Sequence, residues 1–194
     1  MEPVDLGALF NVPGERAARA LEVAEWALPE RITVEGIPFR VGVGTKRLVG
    51  TGLREREAIA APVGGRASEA YLLVGCQMVG MAEPSRGGGQ FSKVADPDLF
   101  EVRVNYVDGT QETSVPVLLP GGEHALRRGL QVLCAFTDPQ KELSRLELVE
   151  GMENGALCLA GLTLNRGRRR HGRLYESPPV MRVQEVKAEV KEEA

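Results

Sequence analysis

Residues 100–117, FEVRVNYVDGTQETSVPV, decide the fold class. Phe100, Val102, Val104 and Tyr106 alternate with Glu101, Arg103, Asn105 and Val107, the period-2 pattern of a strand with one buried face. Asp108-Gly109 follows, a pair that tolerates the positive φ of a tight type I′ turn. Val115, Val117 and Leu119 then alternate on the far side. The stretch predicts an antiparallel β-hairpin with Tyr106 in the core and Arg103 and Asn105 on the outer face.

The same texture extends outward. EAYLLVGCQMVG (69–80) is a continuous apolar run, as in a strand buried on both faces. LQVLCAFT (130–137), LSRLELVE (143–150) and ALCLAGLTLN (156–165) predict three more strands, the second burying Leu143, Leu146, Leu148 and Val149. ITVEGIPFRVG (32–42) alternates but is interrupted at Gly36. Residues 82–98 are loop by composition, and 120–129 are turn-rich with room for one helical turn. Residues 15–27 have helix-forming composition with a weak alanine and leucine stripe, and fit a helix or a loop with one helical turn. Short strands without a repeated helix between them predict an all-β, two-sheet antiparallel β-sandwich rather than βαβ units.

A chain of 194 residues holds one good core or two small ones. The body is taken as residues 1–165. Residues 166–194 form a charged tail or linker, expected to be mobile, with 8 Lys+Arg against 5 Asp+Glu. That makes the tail +3 and leaves the body −6 of the total −3. The basic run 166–173 has five arginines and no interleaved aromatic beside an acidic body, so nucleic acid is not an expected partner. No apolar run of about 18 residues is present, so no membrane span is expected. The N-terminus lacks a basic and then apolar signal pattern. A cytoplasmic location is expected for the chain as written, unless it is a domain excised from an exported protein.

Cys76, Cys134 and Cys158 lie far apart in apolar runs, where free thiols act as small buried hydrophobes. No CxxC or Cys/His cluster suggests zinc. His124 and His171 have no nucleophile elbow or orienting acid near them in sequence. GVGTKR (42–47) and Arg86-Gly87-Gly88-Gly89 do not match a phosphate-binding loop. No catalytic residue is assigned and no cofactor is expected, apart from a structural calcium ion with Asp5 and Asn11 as conceivable donors.

The order of six segments carries a resemblance. PVDLGALFN (3–11), VEGIPFRVG (34–42), EAYLLVGCQMVG (69–80), VRVNYVDGTQET (102–113), FTDPQKELSRLEL (136–148) and CLAGLTL (158–164) resemble the galactose-binding-domain-like jelly-roll modules found beside bacterial glycoside hydrolases. The resemblance implies a jelly-roll sandwich and a non-catalytic accessory role, with carbohydrate as ligand. Such modules stack sugar rings on exposed aromatics, and aromatics make up only 5% of this chain. Tyr71 and Tyr106 fall in core patterns, which leaves Trp26 as the stacking candidate. Arg103 and Asn105 are the polar candidates beside it. The alternative is a structural or protein-interaction sandwich that self-associates or packs on a protein partner. A glycoside hydrolase is the least favoured reading.

Overall fold

The computed structural model describes residues 1–10, 12–13, 29–42, 46–50, 58–78, 100–114, 116–119, 130–150 and 155–170. Residues 15–27, expected to be a helix or a loop with one helical turn, lie outside them. Among the described residues the chain is all-β with antiparallel pairing, and its helical content is a single 3-10 turn at Gly7–Leu9. The strands are β1 (Glu2–Val4), β2 (Val12–Pro13), β3 (Arg31–Val34), β4 (Ile37–Arg40), β5 (Lys46–Gly50), β6 (Ala58–Pro62) and β7 (Glu69–Met78). They continue as β8 (Phe100–Tyr106), β9 (Gln111–Ser114), β10 (Val117–Leu119), β11 (Gln131–Phe136), β12 (Leu143–Glu150) and β13 (Gly155–Asn165).

Three sheets result. The largest has seven strands in the order β10-β11-β7-β13-β5-β2, with β1 also on β13. A second has the order β6-β12-β8-β9, and β3 and β4 pair by themselves. The apolar run at Glu69 becomes β7, central in the large sheet between β11 and β13. Its alternation feeds two cores. Ala70, Leu72 and Val74 join Leu133, Leu162 and Leu164 against Val102, Val104, Leu146 and Leu148 of the four-stranded sheet. On the opposite face, Tyr71 and Leu73 join Val132, Cys134 and Ala160 against Val34, Ile37 and Phe39 of the β3–β4 hairpin. A strand buried on both faces has no polar side to show, which explains its unbroken hydrophobicity. Cys134 is buried as expected of a free thiol, and burial holds its pKa well above the ordinary range.

Strand β13 serves both cores through one irregularity. Its register against β7 shifts between Leu159 and Gly161, so Leu159, Leu162 and Leu164 all face the first core while Ala160 faces the second. A bulge inserts one residue and restores the pleat on the other parity. Strand β12 does the same on a smaller scale. Its shift between Leu143 and Arg145 puts Leu143, Leu146 and Leu148 together in the first core. Val149 is only partly buried and sits on the other parity, so its expected place with those leucines is corrected.

The hairpin at Phe100 forms, with two corrections. Its turn is not type I′: of Asp108 and Gly109 only Gly109 has positive φ, at 83°. The Gly109 amide donates to the Tyr106 carbonyl (3.1 Å), and the Tyr106 amide donates to the Thr110 carbonyl (3.0 Å). This is a three-residue loop, a type I turn closed by a glycine bulge. The freed Val107 amide donates instead to the Glu142 carbonyl at 2.8 Å. The two-residue turn with positive φ at both positions lies elsewhere, at Glu35 (51°) and Gly36 (73°) between β3 and β4. The second correction concerns the far side. The return strand ends at Ser114, and Val117–Leu119 pairs with β11 in the other sheet. Pro116, which has no amide hydrogen for a ladder, lies at the crossing.

Candidate functional site

The outer face of the four-stranded sheet carries two adjacent rows of polar side chains. Parity dictates it. With Val102, Val104 and Tyr106 in the core, Glu101, Arg103 and Asn105 must point outward from β8. The register sets Glu147 opposite Arg103 and Arg145 opposite Asn105 on β12. On β9 Thr113 lies opposite Arg103 and Gln111 opposite Asn105. On β6 Ala60 and Pro62 complete the two rows beside Glu147 and Arg145.

The charges pair along the strands rather than across them. Arg103 Nη2 lies 2.5 Å from Glu101 Oε1, and Arg145 Nη2 lies 2.7 Å from Glu147 Oε1. Each strand therefore offers a guanidinium beside a carboxylate, with the order reversed on its antiparallel neighbour. The Arg103–Glu101 pair is partly exposed on both sides and contributes on the order of 0–1 kcal/mol to stability, whereas Glu147 is largely covered. Asn105 differs. Its Oδ1 accepts from Gln111 Nε2 at 2.8 Å, while its Nδ2 is shielded from solvent and has no hydrogen-bond partner among the described residues. An amide donor left in that state costs roughly 1–3 kcal/mol.

The structure thus brings Arg103 and Asn105 together on one face and adds Arg145, Glu147 and Gln111 to them. Those three were not singled out from the sequence, because only the strand register places them beside Arg103 and Asn105. Trp26 and Asn11 lie outside the described residues, as do His124 and His171. Asp5 is engaged at both carboxylate oxygens: Oδ2 pairs with Arg40 Nη1 at 2.8 Å and Oδ1 accepts from the Gly7 amide at 2.9 Å. Among the described residues no group of three or more His, Cys, Asp and Glu side chains could hold a metal ion. No helix among them is long and apolar enough to cross a membrane.

A second polar cluster sits at the end of β8. The Tyr106 hydroxyl donates to Glu112 Oε2 at 2.9 Å and accepts from the Asp138 amide at 2.9 Å. Lys141 Nζ lies 4.9 Å from the centre of the Tyr106 ring and 3.2 Å from Glu112 Oε1. The Glu112 hydrogen bond holds the Lys141 pKa above its usual value, and the Thr110 hydroxyl holds Asp108 below its own. Every polar end in this cluster has a protein partner, so it reads as a clasp for the β8–β9 loop.

In comparisons with known proteins, no family model matches this chain, and neither a curated protein nor a solved structure does. The galactose-binding-like resemblance therefore stands on its six motifs alone.

Proposed function

We propose that the chain is a non-catalytic accessory module of the two-sheet β-sandwich, jelly-roll type, and that it binds carbohydrate on the outer face of the four-stranded sheet. The sandwich reading is supported by the first core, to which both larger sheets contribute. The ligand reading draws on the resemblance and on one observation, the bed of planar polar side chains that the register sets side by side on this face, Arg103 and Glu147 in one row and Asn105, Arg145 and Gln111 in the next. Sugar hydroxyls both donate and accept. A bed of guanidinium, carboxylate and amide groups matches them in both senses without imposing net charge. Trp26 remains the stacking candidate on the sequence reading.

Calorimetric titration against a panel of neutral oligosaccharides tests the proposal. Binding should weaken about tenfold in Arg103→Ala and in Asn105→Ala, the size of one good hydrogen bond. Thermal stability should barely change in Arg103→Ala, because its ion pair is exposed. Absence of binding across the panel, with a stable dimer by light scattering, would instead support the second reading, a sandwich that self-associates. That alternative has its own observation. Among the described residues β6, AIAAP, is an edge strand; it exposes Ala58 and Ala60 and carries no charge of the kind that guards an edge.

A further inference from the structure

Five polar residues are buried among the described ones: Ser68, Glu69, Thr137, Thr163 and Asn165. Four of them, all but Thr163, meet at one end of the large sheet, where β7 begins and β13 ends. Buried polar groups are retained where they are satisfied, and the groups that satisfy these come largely from residues 166–170. The Glu69 carboxylate, fully buried, accepts from the Tyr71 hydroxyl at 2.8 Å and from Asn165 Nδ2 at 2.6 Å. The Arg170 amide donates to both of its oxygens, at 2.9 and 3.0 Å. Ser68 Oγ donates to the Gly167 carbonyl at 2.7 Å. Asn165 Nδ2 donates to the Arg168 carbonyl (2.9 Å), and its Oδ1 accepts from the Gly167 amide (3.1 Å).

The arginines of this segment reach back to the body. Arg169 Nη2 donates to the Thr137 carbonyl at 3.1 Å, and its guanidinium lies 5.1 Å from the centre of the Phe136 ring. Arg166 donates to the Gly64 and Arg66 carbonyls and pairs with Glu2, lowering the Glu2 pKa. Among residues 166–170, only Arg166, Arg169 and Arg170 carry a side chain or amide bonded to a different element than β13; Gly167 and Arg168 are held through Ser68 and Asn165.

We infer that residues 166–170 are a strap anchored on the buried Glu69 carboxylate, which opens as a unit separate from the two cores and fixes the direction in which the chain leaves the sheet. The reason is chemical. Three donor groups converge on one carboxylate, and charge-assisted bonds of this kind are among the stronger ones in a protein. The apolar cores are built from other residues, so the strap can leave without emptying either of them.

Limited trypsin digestion with site-resolved mass spectrometry tests this, because the strap carries its own cleavage sites after Arg168 and Arg169. In Glu69→Gln the oxygen that holds Tyr71 and Asn165 can stay in place, but the other position becomes an NH2 donor that faces the Arg170 amide, donor against donor. Cleavage in the strap should accelerate about tenfold or more, while sites in the strands, after Arg103 and Arg145, stay protected. Asn165→Ala, which keeps the carboxylate and removes the staple to Gly167 and Arg168, should do the same. Selective strap cleavage in either variant supports the inference, even if the other variant unfolds. Unchanged strap cleavage in both variants overturns the anchor. Loss of protection at Arg103 and Arg145 together with the strap in both overturns its independence.

Discussion

Tyr106 shows how one residue can serve core and surface at once. Its ring belongs to the first core, and its hydroxyl joins Glu112 to the Asp138 amide. Burial pushes its pKa up to about 12; the Asp138 amide opposes the rise and the Glu112 carboxylate adds to it. An acid whose folded pKa exceeds its unfolded value of about 10 stabilises the fold fully below pH ~10. That contribution is lost as pH rises from about 10 toward 12. Tyr71 acts in the same direction, through burial first and its hydrogen bond to Glu69 second. Tyr106→Phe should cost about 1–2 kcal/mol at neutral pH by urea denaturation. Its stability should also fall less steeply than the wild type's across that alkaline window. An unchanged slope would mean that the hydroxyl does not titrate with unfolding. The core placement of Tyr106 was readable from the alternation FEVRVNY, but its hydroxyl partners, 6 and 32 residues away, were not.

Elements here are defined by where their pleat is interrupted. The bulge in β13 requires a close approach, because a Cβ at Gly161 would lie 3.2 and 3.3 Å from Phe39 side-chain atoms and 3.4 Å from the Arg40 carbonyl. Gly161→Ala should therefore destabilise by about 1–3 kcal/mol through overpacking. The loss should be partly recovered in Gly161→Ala/Phe39→Leu, so that a double-mutant cycle in urea gives a non-additive term. Strictly additive losses would place the cost in the backbone rather than at the Phe39 ring. The turns make a related point. Asp-Gly suits both a two-residue I′ turn and the bulged three-residue loop, and only the pairing of Asn105 with Gln111 selects the latter. Glu-Gly is a weaker signal, yet Gly36 at φ 73° completes the two-residue turn because β3 and β4 must fold back over the second core.

At the scale of the whole molecule, β7 ties two cores into one structure. Leu72 and Leu73 are adjacent and both are buried, but they face opposite cores. Leu72→Ala and Leu73→Ala should each cost about 2–5 kcal/mol. Both should lower the midpoint of a single transition, seen alike by far-UV and near-UV circular dichroism, because neither core can empty without the shared strand. Separate transitions in either variant would show that the hairpin layer melts by itself. Alternation along the chain was enough for the all-β class, for strands within 69–80, 100–107, 130–137, 143–150 and 156–165, and for the outward parity of Arg103 and Asn105. Those follow from period-2 patterns, which are local. Which strands neighbour one another, the crossing at Pro116, the second core and the strap on Glu69 depend on contacts between residues as many as 164 positions apart. Local alternation states which side of a strand is apolar. What that side meets is settled by the pairing of strands distant along the chain.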